Sequence, residues 1–248
     1  MICPVAKKII CVIGKKVHRK FIFPFTYFFL SNMSYFRYID NGKGPTKLFV
    51  GGIHGNEGKT SIKFIKHLKK DDFSCGQIYI YNFNKSPYIS TLKEEFFSSS
   101  IGLKIISLVK ELKPDFYTEL HCYDLAHFDR LTSSNRFFTQ GVPPLIDCGN
   151  HILISSVSPL IRMKYFTAKT VCKTLEFPCF NKLNSEIIKE FQFNEKLSIE
   201  RYEDILKLIV TATSRINFED KISSIYPKQA ELAIYYAKKI FGKNFPPY

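Results

Sequence analysis

Residues 47–69 prescribe a strand, a glycine loop and a helix in direct succession, the order that builds layered α/β folds. Lys47-Leu48-Phe49-Val50 is an apolar run of strand length, and Gly51-Gly52, Gly55 and Gly58 then make the chain too glycine-rich for a regular element. From residue 58 the period changes, with Ile62, Ile65 and Leu68 on one helical face and lysines between them. Short apolar runs recur near residues 77–83, 115–121 and 170–177, the last closed by Pro178, and Ile101, Ile105, Leu108 and Leu112 predict a helix over 100–112. The expected fold class is therefore α/β: a three-layer α/β/α arrangement around a mixed, largely parallel sheet.

After Pro178 the pattern predicts helices over 183–193, 198–213 and 226–241, the last ended by Gly242 and Pro246-Pro247. Residues 124–168 are irregular, with Gly141-Val142-Pro143-Pro144 and Ser158-Pro159, and predict loops with short strands over one edge of the sheet. Loops of that kind commonly wall a binding site. With no repeat and no low-complexity linker, residues 36–248 read as a single domain behind an extension over residues 1–35.

The extension joins a basic run without acids (Lys7, Lys8, Lys15, Lys16, Arg19, Lys20) to about ten apolar residues, Phe21 to Leu30, too few to span a bilayer as a helix. It is similar to the first two regions of a signal peptide, but Ser31-Asn32-Met33-Ser34 is no small-residue cleavage site and Pro24 interrupts the run. Three readings stay open: a packed aromatic extension, membrane association through residues 1–30, or a true start at Met33. The net charge of +14 favours an anionic partner. The lysines are nevertheless scattered over most helical stretches, as on a solvated surface, and nucleic acid is disfavoured because a nucleic-acid footprint gathers on one face. The cysteines number seven, an odd count without a CxxC pair, and read as free and mostly buried thiols in a reducing, cytoplasmic setting. Strand alternation turns Cys122 away from His121 and into packing.

The loop after the first strand carries chemistry. Gly51-Gly52-Ile53-His54-Gly55-Asn56-Glu57 delivers an imidazole and a carboxylate on one turn, a pair able to grip a single metal ion. It lies at the carboxyl end of a strand, where open α/β sheets bind ligands. A purely structural account makes Asn56 a helix cap and His54 incidental. Gly58-Lys59-Thr60 also invites comparison with a phosphate-binding loop, but that motif needs a glycine where Ile53 stands. The third ligand candidate is His121 in Glu119-Leu120-His121, where alternation puts Glu119 on the same face, able to orient the imidazole. A His–Glu pair without metal meets the same pattern.

His54-Gly55-Asn56-Glu57, Glu119-Leu120-His121 and Thr174-Leu175-Glu176 together resemble the zinc carboxypeptidase superfamily, nearest its succinylglutamate desuccinylase and aspartoacylase branch and an uncharacterised archaeal relative of it. The likeness covers roughly residues 45–180. It implies zinc held by His54, Glu57 and His121, and Glu176 as the catalytic carboxylate. Glu119 stands where the family more often has aspartate beside its third ligand. The implied reaction is hydrolysis of an amide bond in a small acylated amino acid or a peptide C-terminus, with Glu176 taking a proton from water and passing it to the leaving amine. On the residues alone, Glu176 also reads as a solvated strand end.

The chain departs from the family in one respect. The segment Asn82 to Tyr88 looks like the family's asparagine-proline segment and makes Asn84 a substrate-binding candidate, yet no arginine lies between Glu57 and His121. Lys93 offers charge without the planar, bidentate grip of a guanidinium on a carboxylate. Arg130, Arg136 and Arg162, in the irregular region, are the candidates to supply it. The expected substrate bears a carboxylate or is a peptide. The alternative is a catalytically inactive metallopeptidase-like protein serving as an interaction or assembly factor.

Overall fold

Strand β2 (Thr46–Gly51) shows how the sequence builds both faces of the sheet in the computed structural model, which describes residues 33–242. Its side chains alternate, Phe49 packing into one core and Leu48 and Val50 into the other. The same alternation divides β3 (Gly76–Phe83), β4 (Phe116–Tyr123) and β7 (Val171–Pro178) between the two cores, so these strands are covered on both sides. Full burial of each such apolar side chain contributes about 1.5–3 kcal/mol relative to exposure.

Among the described residues the sheet has seven strands in the order β1-β3-β2-β4-β7-β6-β5. The four central strands run parallel, while β1 (Met33–Asn41) at one edge and β6 (Leu153–Ser155) and β5 (Ile146–Asp147) at the other pair antiparallel. The mixed, largely parallel sheet expected from the sequence is thus present. β1 begins at Met33, so the last residues assigned to the extension belong to the sheet. Residues 1–32, on which the extension, membrane and alternative-start readings fall, lie outside the described residues. No helix of the described residues is long and apolar enough to cross a membrane.

Helices cover both faces. One face carries α1 (Gly58–Ile65), α8 (Glu195–Val210), α9 (Arg215–Ile225) and α10 (Pro227–Phe241) through residues such as Phe64, Ile205, Ile222 and Ala230. The other carries α2 (Glu94–Ser98), α3 (Ser100–Leu112) and α6 (Pro159–Tyr165) through Phe96, Ile105 and Ile161. Four of these helices start at a side-chain cap: Ser99 accepts from the Gly102 amide, Ser158 from Leu160, Asn194 from Leu197 and Ser214 from Asn217. The irregular region holds the short helices α4 (Phe128–Thr132) and α5 (Arg136–Gln140) besides β5 and β6. The helix expected over 183–193 is confined to α7 (Ser185–Glu190).

The cysteine expectation needs correcting. Cys122 and Cys179 form a disulfide, while Cys75, Cys148 and Cys172 are free, the last two buried. The parallel register places Cys122 opposite Phe177 and Tyr123 opposite Pro178, the Cys179 amide donates to Tyr123 O at 2.8 Å, and the Cα atoms of Cys122 and Cys179 lie 4.9 Å apart. That proximity leaves no trace in cysteine spacing, and the cysteines no longer argue for a reducing compartment.

Candidate metal centre and its cavity

The loop between β2 and α1 closes tightly on the end of β3. Gly52 has φ +72°, and a Cβ there would sit 2.0 Å from Phe83 O; one on Gly58 would sit 1.9 Å from the same oxygen. Asn82 ties the loop down, donating to Gly58 O at 3.1 Å and accepting from the Ser61 hydroxyl at 2.6 Å, while the Ser86 hydroxyl donates to Gly52 O. The His54 amide donates to Glu57 Oε2 and the Glu57 amide to His54 O, both at 3.0 Å. Glu57, not Asn56, occupies the cap position of α1, and the Asn56 amide group reaches Tyr88 OH at 3.4 Å.

β4 lies beside β2 in parallel and brings His121 to this loop. Glu57 Oε1 lies 3.3 Å from His54 Nδ1 and Glu57 Oε2 lies 3.1 Å from His121 Nδ1. The ligand atoms of the three residues fall within 4.8 Å of one another, so the group can hold a metal ion. Its chemistry fits: two imidazoles and a carboxylate suit a divalent transition metal, and His54 Nε2 is buried without a hydrogen-bond partner among the described residues. Behind His121, Nε2 lies 3.1 Å from Glu119 Oε2, and the Tyr117 hydroxyl donates to Glu119 Oε1 at 2.8 Å.

These neighbours shift one another strongly. Burial works to raise the Glu57 carboxyl, but the charge and hydrogen bond of His121, then those of His54, outweigh it and hold Glu57 at about 2. Burial likewise works to lower His121, yet Glu57 and Glu119 raise it well above the usual histidine range. Glu176 stands in register with His121 on the neighbouring β7. Burial, with the negative charges of Glu57 and Glu119, pushes it up to about 7 against the pull of His121 and Arg136. A carboxyl group near 7 is suited to exchanging protons at neutral pH.

A cavity of about 310 Å³ opens over this cluster, lined by His54, Glu119, His121 and Glu176, with Arg130 and Arg136 also in the wall. Val142, Pro143, Pro144 and Leu145, from the irregular region, add an apolar side. The other substrate candidates sit elsewhere. Asn84 and Lys93 are exposed and outside the lining. Arg162 is buried in the protein, donating to Thr167 O at 2.8 Å and Thr170 O at 3.1 Å, and does not line the cavity. Sequence reasoning overlooked Tyr117, although its alternation with Glu119 and His121 was the available signal. It also passed over Lys173, a buried lysine in the cavity wall that burial, reinforced by Arg215, pushes down to about 7.

The family described as "uncharacterized protein conserved in archaea (DUF2119)" matches residues 42–242. The chain belongs to this family. Uncharacterized protein MJ0501 of Methanocaldococcus jannaschii is 38% identical over 205 residues, which cover 80% of this chain and 92% of that relative. No solved structure matches significantly. The part matched by the archaeal family contains the whole His54, Glu57 and His121 group together with Glu176.

Proposed function

We propose that this member of the archaeal family is a zinc-dependent hydrolase of an amide bond, acting on a small acylated amino acid or a peptide C-terminus. The observation that carries the proposal is the convergence of His54, Glu57 and His121 beside Glu176 at the floor of a cavity. The resemblance of the three motifs to the zinc carboxypeptidase superfamily supports the same reading. His54, Glu57 and His121 would hold the ion, which when bound would supply a Lewis acid that acidifies water and polarises a carbonyl.

The rest of the chemistry falls to the chain's own groups. Glu176 takes a proton from the attacking water and returns it to the amine nitrogen as the C–N bond breaks, giving a carboxylic acid and an amine. Its elevated proton affinity, at about 7, suits both halves of that exchange. Arg130 and Arg136 offer guanidinium groups to a substrate carboxylate, and Val142 to Leu145 form an apolar side that helps exclude water.

Metal analysis of the purified protein, followed by assay of N-acyl amino acids and peptides, tests the reading. One zinc per chain and turnover are expected. Glu176→Gln should keep the metal and lower kcat by about 10²–10⁴-fold, the usual contribution of a general acid–base group. Absence of stoichiometric metal would sink the proposal, and full activity of Glu176→Gln would remove Glu176 from it.

A further inference from the structure

One face of β4 carries three polar side chains joined end to end. Tyr117, Glu119 and His121 alternate along the strand, and their exposures of 0%, 2% and 4% place the whole series inside the protein. The Tyr117 hydroxyl donates to Glu119 Oε1 at 2.8 Å, and Glu119 Oε2 lies 3.1 Å from His121 Nε2. On the far side of the same imidazole, Nδ1 lies 3.1 Å from Glu57 Oε2.

We propose that Tyr117 is a positioning residue of the metal centre: its phenol pins Glu119, which holds His121 with Nε2–H turned to its carboxylate, so that Nδ1 would be the nitrogen to ligate a bound ion. The role rests on the zinc-site reading above. A glutamate's terminal torsion is broad, so an unpinned Glu119 presents its oxygens over a wide range of angles. The phenol removes that freedom because its own ring is fixed, packed against Phe166 with centroids 4.9 Å apart in the apolar core beneath the sheet. An ionised carboxylate only accepts hydrogen bonds, so the order of the series is set. The hydroxyl donates to one oxygen and the imidazole Nε2–H donates to the other, so that Nδ1, 3.1 Å from Glu57 Oε2, would be the nitrogen left to ligate an ion held with His54 and Glu57. The surroundings of the Tyr117 ring are those of a phenylalanine, and its buried hydroxyl is satisfied by its bond to Glu119.

Tyr117→Phe keeps the ring and removes the donor. In competition with a chromophoric chelator, zinc affinity should fall about 3–10-fold, less than the roughly 10–100-fold expected for Glu119→Gln, which alters the direct partner of the ligand. In the double variant the loss should be smaller than the product of the two single losses, because the phenol acts through the carboxylate. Nitrogen-15 NMR of histidine-labelled, metal-free protein supplies a readout that packing alone would not move: the His121 Nε2–H proton should exchange with solvent several-fold faster in Tyr117→Phe, at an almost unchanged melting temperature. Zinc affinity within twofold of wild type, multiplicative losses, or unchanged exchange would each overturn the role. Wild-type protein that takes up no zinc is a different result, overturning the zinc site and the role of Tyr117 with it; uptake by wild type with an indifferent Tyr117→Phe overturns the positioning role alone.

Discussion

The chain runs from one buried charged site to another along β2, and the two ends treat burial in opposite ways. At the start, Lys47 is 0% exposed, yet its ammonium donates to Ile209 O at 3.1 Å and Val210 O at 2.6 Å, the last carbonyls of α8, and lies over the Phe116 ring at 5.2 Å. A cation on the carbonyl end of a helix is a self-contained arrangement that ties strand to helix. Beyond the other end, ligand atoms of His54, Glu57 and His121 lie within 4.8 Å of one another, His54 Nε2 is left unpartnered among the described residues, and a cavity opens above. Buried charge alone therefore marks neither end as functional. What separates them is the gathering of three metal-ligating side chains beside a cavity.

The comparison breaks most visibly if the two ends respond alike to zinc. His121→Ala should weaken zinc binding by more than about 100-fold, beyond the loss associated with outer-shell changes. It should also abolish the stabilisation of about 2.7 kcal/mol that zinc at a hundred times its Kd gives the wild type. Lys47→Met should bind zinc within about twofold of wild type while losing about 1–3 kcal/mol of metal-free stability, since it strips the donor from two buried carbonyls. Thermal melts with and without zinc read both effects, and loss of zinc binding in Lys47→Met would join the two ends into one cooperative site.

A second contrast sharpens the cavity's outline. Arg136 and Arg162 are both arginines of the irregular region and both donate to carbonyls of their own chain, Arg136 to Pro143 O and Arg162 to Thr167 O and Thr170 O, but only Arg136 also lines the cavity. Arg136→Lys should raise KM about 10-fold or more on a carboxylate-bearing substrate, the cost of a charged hydrogen bond, and cost less stability than Arg162→Lys because its bonds to Pro143 O and Gln140 are only partly buried or exposed. Arg162→Lys should do the reverse, losing about 1–3 kcal/mol of stability at unchanged KM. Steady-state kinetics beside melting curves separates the pair, and an exchange of these outcomes would move the carboxylate site away from the Arg136 wall.

The strands around the site were legible because their signal is local. Short apolar runs announce β2, β3, β4 and β7, and His54, Glu57, Glu119 and His121 stand out as polar residues in or just after those runs. β1 was hidden because Phe36 and Tyr38, outward and exposed, extend the aromatic run that precedes them and blur the period. β5 and β6, at two and three residues, are too short to show a period at all. α9 was missed although Ser214 caps it, because its apolar residues are split between the buried Phe218 and Ile222 and the exposed Ile216 and Ile225, which weakens the helical period. The Cys122–Cys179 pair and the sorting of the arginines depend on contacts between segments far apart in sequence, as in the 57 residues that separate the two cysteines. Residue spacing along the chain carries no record of them.

The smallest expected effect is the most specific to the closed end of β2. Burial pushes Lys47 down to about 8 from its ordinary 10.5. Below pH 8 the lysine is protonated in both folded and unfolded chains, and the fold bears the full cost of its buried charge. Between about 8 and 10.5 the unfolded chain binds the extra proton, so this residue's contribution to stability rises with pH, with a slope of at most about 1.4 kcal/mol per pH unit. Above 10.5 both states are neutral and the contribution is level. Urea denaturation of wild type and Lys47→Met across pH 7–11 isolates it, because the difference between the two proteins cancels the other titrating lysines. The wild type should gain on the variant through that window; a difference that is flat, or that shrinks as pH rises, would mean that the α8 carbonyls hold the ammonium tightly enough to offset its burial.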